Sequence, residues 1–113
     1  MKYIRGDQSL EFKNSEVCTA YEYPFEDKDI NGAVIKLSGR YPASGRVTNS
    51  VCKELVYIIH GIGRLVIEDK ETKINSGDMM LIFPGEKYYF EGELEMLMPC
   101  TPAWYPEQHH EVE

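Results

Sequence analysis

Apolar and polar residues alternate with a period of two along most of this chain, and no window of helical length carries the 3.6-residue recurrence that a packed helix needs. The chain is therefore expected to be all-β. Candidate strands cover residues 17–23, 33–37, 54–59, 64–68, 72–74, 78–82, 88–91 and 94–98. Between them lie short turn signals. Gly61-Ile62-Gly63 reads as a hairpin, Asn75-Ser76-Gly77-Asp78 separates another pair, and Phe83-Pro84-Gly85-Glu86 reverses the chain where Pro presets one backbone angle and Gly supplies the permissive one. Residues 39–49 read as a surface loop. Many short strands at this spacing imply a sandwich or a barrel, and 113 residues suffice for one core, so residues 1–113 are read as a single domain.

Charge narrows the partners. A formal net charge of −7, with no stretch gathering Lys and Arg onto one face, excludes nucleic acid and anionic membrane surfaces as expected partners. A neutral or cationic small molecule fits better. The N-terminus meets charge at Lys2, Arg5 and Asp7, too early for the apolar middle of a signal peptide, and the longest apolar run is far below membrane-spanning length, so a soluble cytoplasmic protein is expected. Cys18, Cys52 and Cys100 are odd in number and widely spaced, which suits buried reduced thiols. Asp27-Lys28-Asp29-Ile30-Asn31-Gly32 copies the opening of a calcium loop, but its twelfth position is Ser38, so a turn held by Asp and Asn side chains is expected instead.

Two segments carry a more specific likeness. Glu54-Leu55-Val56-Tyr57-Ile58-Ile59-His60-Gly61-Ile62-Gly63 resembles the latter part of the first cupin motif, and Gly77-Asp78-Met79-Met80-Leu81-Ile82-Phe83-Pro84-Gly85-Glu86-Lys87-Tyr88 resembles the second. The chain is thus similar to small single-domain bacterial cupins. The likeness implies a double-stranded β-helix, or jelly-roll barrel, with motifs over residues 47–63 and 77–88, N-terminal strands within 1–38 and a C-terminal strap over 100–113. Residues 100–109 and Gly39-Arg40-Tyr41-Pro42 also resemble a subset of small bacterial members, a likeness that implies no particular activity.

The departures from the family bear on chemistry. Metal-binding cupins use two histidines ahead of the glutamate and a third in the second motif. Here the first pair falls on Val47 and Asn49, or on Thr48 and Ser50, and the third falls on Tyr88. Of the usual ligands only Glu54 remains. A lone carboxylate among neutral oxygens is a poor transition-metal site, so no metal cofactor is expected, and any metal would have to use Glu54, with Cys52 on the same strand face.

Glu54, Val56 and Ile58 share one face, which the motif likeness places inward. A carboxylate among aliphatic neighbours should carry a raised pKa unless donors hold its charged form, and Tyr88, Asn49 and Ser50 are the candidate donors. The expected ligand site comprises Asn49, Ser50, Cys52, Glu54, Tyr88, Phe90 and Trp104, with Glu54 and Tyr88 as the candidate catalytic pair. Tyr57, Tyr89 and Tyr105 join Phe90 and Trp104 as candidates for an aromatic barrel mouth. Pro102 and Pro106 bracket Trp104 in an extended tail, on which His109 and His110 are expected to be exposed.

The reading that follows is a small-molecule-binding cupin without a catalytic metal, with a carbohydrate-like ligand among the options. The alternatives are a sugar isomerase or epimerase using Glu54 and Tyr88, an atypical metal-dependent cupin enzyme, and a non-catalytic interaction module. A homodimer is also expected, formed when the N-terminal residues add a strand to a neighbour.

Overall fold

The computed structural model describes residues 1–113. Nine strands, and no α-helix, make up the chain: β1 Leu10–Lys13, β2 Cys18–Glu22, β3 Asn31–Tyr41, β4 Arg46–Asn49, β5 Lys53–Ile67, β6 Lys70–Asn75, β7 Met79–Ile82, β8 Tyr88–Thr101 and β9 His109–Val112. Three-residue 3-10 turns at Gly6–Gln8 and Pro106–Gln108 complete it. Every ladder is antiparallel. The order β1-β2-β3-β8-β4-β9 forms one path, and β5 branches from it by pairing with β6, β7 and β8. The two longest strands, β5 and β8, thereby join both walls of the barrel.

Side-chain alternation fixes which face is interior. Glu54, Val56 and Ile58 are 7%, 0% and 0% exposed, whereas Leu55, Tyr57 and Ile59 face outward. Val47, Val56, Ile58, Leu65, Ile74, Ile82 and Leu94 fill the interior beside β6 and β7. Burying such aliphatic side chains contributes about 1.5–3 kcal/mol each, which makes this half the packed anchor of the fold.

Several local expectations are corrected. Gly61-Ile62-Gly63 is not a hairpin, because β5 runs through it. A register shift between Ile58 and His60 and the positive φ of Gly61, +118°, bend the strand against β8 without reversing it. Likewise β8 continues through Gly92. Gly39, Gly92 and Gly63 stand side by side on β3, β8 and β5, a row without side chains where the sheet folds closely upon itself. Residues 39–49 are not one loop, since β3 extends to Tyr41 and β4 begins at Arg46. β1 pairs with β2, Leu10 opposite Glu22, and its other side is an edge of the sheet. The tail after Tyr105 is a 3-10 turn followed by a strand, with Pro106 in the first helical position where it forfeits no hydrogen bond. No helix is long and apolar enough to cross a membrane.

Candidate ligand-binding site

Between β2, β3, the inner face of β8 and the tail, the packed half of the interior gives way to a cavity of about 380 Å³. Glu54, Tyr88, Phe90, Cys100, Trp104 and His109 line its polar end, and Cys18, Leu37, Met96 and Met98 its apolar wall. Residues 22–27 also line it, and the exposure of Pro24, Glu26 and Asp27 places this segment where the cavity meets solvent. Asp27 Oδ1 accepts the backbone N–H of Asp29 at 2.8 Å and of Ile30 at 3.2 Å, the side-chain-held turn expected of this segment. The Asn31 side chain then ties the turn to the tail, donating to Trp104 O at 3.0 Å and accepting from Trp104 N at 2.8 Å.

One hydrogen-bonded chain runs through the polar end. Asn49 Nδ2 donates to Glu54 Oε1 at 2.6 Å, and the Tyr88 hydroxyl donates to the same oxygen at 2.7 Å. Asn49 Oδ1 accepts from Trp104 Nε1 at 3.0 Å and lies 2.8 Å from His109 Nδ1. Because Trp104 can only donate and Glu54 needs the amide N–H, the Asn49 orientation is determined, and Nδ1 of His109 must carry the proton. Its Nε2 keeps a lone pair with no partner in the chain. The remaining Glu54 oxygen, Oε2, has only the Cys100 thiol at 3.7 Å.

Burial raises the Glu54 pKa, and the hydrogen bonds from Tyr88, Cys100 and Asn49 offset part of that rise. Desolvation is the larger effect, so the net direction is upward. With Oε1 accepting twice and Oε2 meeting only a thiol, Oε2 is the oxygen left for a ligand. The Tyr88 phenol is held well above its usual range by burial and then by the neighbouring Glu54 charge. The adjacent Cys52 thiol and burial push the Cys100 thiol up. Burial lowers the His109 pKa, which keeps its imidazole neutral.

A pH dependence follows. A carboxyl whose folded pKa exceeds its unfolded value binds protons more tightly in the native state, so its contribution is complete below the unfolded value and declines as pH rises through the folded one. Glu54→Gln should remove that decline. The stability of wild type relative to the variant is expected to fall as pH rises above 4.5 in urea denaturation series, and a constant difference would show that the Glu54 pKa is not raised by folding.

Among the residues singled out from sequence, Asn49, Glu54, Tyr88, Phe90 and Trp104 converge, with the Tyr88 and Phe90 rings edge to face at 5.7 Å. Others do not. Ser50 is exposed and directs its hydroxyl to Gln108 O at 3.4 Å, because the inward turn of Asn49 sends the next side chain outward. Cys52 is buried but lies outside the cavity wall, its backbone N–H held at 2.7 Å by Gln108 Oε1. Tyr57 faces outward by strand parity, Tyr105 is exposed, and Tyr89 lies on the outer face with the Arg40 guanidinium 3.8 Å above its ring.

His109 is not exposed. It pairs with Asn49 across β4 and β9, half-buried against the cavity, while His110 does face solvent. Tyr41 and Gln108 were not singled out from sequence. Continuing the alternation Ile35, Leu37, Gly39 would have pointed Tyr41 inward, whereas nothing local marks Gln108.

The residues around Glu54 do not suit a metal. Asn49 and Tyr88 offer neutral oxygens and nitrogens rather than imidazoles, and both are committed to Glu54. No three His, Cys, Asp or Glu side chains are grouped to hold an ion.

No protein-family model and no curated protein matches the sequence. Solved structures do. Pac13 from Streptomyces, described as a nucleoside dehydratase, superposes with a TM-score of 0.89 over 100% of this chain and 92% of its own, at 17% identity. Ectoine synthase from P. lautus gives 0.75 over 100% and 91%, at 13% identity. Oxalate decarboxylase from Bacillus subtilis gives 0.83 over 96% of this chain and 31% of its own, also at 13% identity. All three are cupins. This chain has the cupin fold. Within it, Asn49 and Tyr88 both turn toward Glu54 and donate to the same carboxylate oxygen.

Proposed function

We propose that this cupin binds a small polar ring molecule, of the size and kind of a sugar or nucleoside, in the cavity beside Glu54 and without a catalytic metal. The observation that carries the reading is Glu54 itself. It is buried at one end of an open cavity, with one oxygen held by Asn49 and Tyr88 and the other facing free space with only a thiol nearby. A protonated Oε2 donates to a ligand hydroxyl or carbonyl, and the Phe90 and Trp104 rings offer flat apolar contact. Variants of Pac13 with His replaced by Gln or Tyr by Phe have been solved with uridine, which supports a nucleoside as a ligand this fold accommodates.

Calorimetric titration against sugars and nucleosides tests the reading. Glu54→Gln and Tyr88→Phe are each expected to weaken a hit by at least about tenfold, or about 1.4 kcal/mol. Unchanged affinity in both variants would remove the pair from the site.

A second reading, an acid–base enzyme of the isomerase, epimerase or dehydratase kind, is favoured by the neutral His109. Its unpartnered Nε2 is a base, while Glu54 Oε2–H is an acid, and both belong to the chain that passes through Asn49. Incorporation of solvent deuterium at a carbon of the bound molecule, lost in His109→Gln, is the expected signature. A ligand that binds yet exchanges no carbon-bound proton would reject this reading and leave the binding one standing.

A further inference from the structure

The cavity wall carries four carboxyl groups, Glu22, Glu26, Asp27 and Glu54, and no Lys or Arg. His109 is its sole basic side chain, and the hydrogen bond to Asn49 uses the one proton its neutral ring has. Nor do the acidic side chains at the mouth form ion pairs. The structure holds three salt bridges, Arg5–Asp7, Arg64–Glu71 and Arg64–Glu91, and none includes Glu22, Glu26 or Asp27. The ammonium closest in sequence contact with this loop, that of Lys2, is occupied by the backbone carbonyls of Phe25 at 2.8 Å and Glu26 at 3.3 Å and lies outside the cavity wall.

Proteins hold phosphates and carboxylates with Arg or Lys side chains, or with the free N–H groups at helix N-termini. This chain has no α-helix, and most of the cavity wall is strand whose N–H groups serve their ladders, while the N–H groups of Ala103 and Trp104 in the tail are taken by Lys28 O and Asn31 Oδ1. An anion entering it would leave its water for a negative field with no donor of opposite charge.

We propose that the cavity accepts rings that are uncharged or positively charged and rejects anionic ones, with Glu22, Glu26 and Asp27 at the mouth setting that choice. The ligand class is then an unphosphorylated, non-acidic ring: a nucleoside rather than a nucleotide, a sugar rather than a sugar phosphate or sugar acid. This rests on the reading that the cavity is the ligand site, and it deepens that reading by fixing the charge of what enters.

The test uses one ring in three charge states, so that it does not depend on knowing the ligand. Trp104 is the single tryptophan, and its indole N–H donates to Asn49 at the polar end of the cavity, giving one reporter resonance in a nitrogen-15 correlation spectrum. Benzamidinium, benzamide and benzoate are titrated separately at pH 7. The first two are expected to shift that resonance, with benzoate at least about tenfold weaker than benzamide. In Glu22→Gln/Glu26→Gln/Asp27→Asn, where Asn keeps the acceptor for the turn, the gap between benzamide and benzoate should close to within about threefold. It should narrow also in 0.5 M salt, where screening is stronger.

Benzoate binding as tightly as benzamide, a gap unchanged in the triple variant, or no shift with any of the three probes would each overturn the proposal. The two readings fail separately. Absence of sugar or nucleoside binding with the fragment order intact removes the ring class and keeps the charge rule. A nucleoside and its 5′-monophosphate binding equally does the reverse.

Discussion

Replacing Gly92 with alanine is expected to leave little folded protein. Gly92 has φ +145°, a region that side-chain-bearing residues rarely enter, and it stands between Gly39 and Gly63 in the row where β3, β8 and β5 approach closely. A Cβ there would lie 2.5 Å from both Gly63 Cα and Ile62 O. Both atoms are backbone in the middle of β5, so relief requires moving the longest strand in the molecule. The loss should exceed about 4 kcal/mol, within reach of the whole stability of an ordinary domain.

Gly77 and Gly85 provide the comparison. Their φ values, +92° and +84°, are also left-handed, but an added Cβ meets no atom within 4 Å, so only the conformational cost of about 1–2 kcal/mol remains. Urea midpoints for the three alanine variants separate crowding from backbone preference. A Gly92→Ala midpoint equal to that of Gly77→Ala would show that the close approach is not what holds the fold.

The second large effect is expected at Gln108, which is 2% exposed. Its Oε1 accepts the backbone N–H groups of Val51 at 3.2 Å and Cys52 at 2.7 Å, and its carbonyl accepts from Ser50 N at 3.0 Å. One residue of the tail therefore clamps the turn that carries the chain from Asn49 toward Glu54. Gln108→Ala strands the buried N–H of Cys52 at about 1–3 kcal/mol, frees the more exposed N–H of Val51 to water and opens a void, for a total of about 3–5 kcal/mol.

Gln108→Met separates the two contributions, since methionine keeps most of the volume and supplies no comparable acceptor. It should recover less than half of the loss and still displace the Trp104 indole resonance. Full recovery of stability by Met would mean that packing, and not the two hydrogen bonds, fixes the tail.

The barrel was legible in the sequence because strand parity and the two glycine-bearing motifs each constrain the same residues. Once Glu54 is inward, Val56 and Ile58 must be too, and Leu55 and Tyr57 cannot be. The same parity explains why Tyr57 fails as a pocket residue despite its aromatic ring. Asn49 and Tyr88 were legible as donors because they occupy positions that face the glutamate in relatives with imidazoles there.

Contacts between distant segments were not legible. Whether Gly61 and Gly63 reverse a strand or let it bend depends on how near β8 passes, which no local pattern records. Residues 106–112 lack any hydrophobic period strong enough to announce a strand. They become one only because β4 presents an unpaired edge, and His109 enters the site with them. Ser50 and Cys52 flank inward residues in sequence, yet the turn between β4 and β5 breaks the alternation that would have placed them.

The dependence of the polar end on Trp104, Gln108 and His109 sets an order of events during synthesis. Residues 1–101 supply eight of the nine strands, but the amide of Asn49 has both of its tail partners, Trp104 and His109, only once position 109 has cleared the ribosome. A nascent chain can form the apolar half of the barrel first and must wait for this segment to finish its binding chamber, so competence for ligand comes later than the packed core.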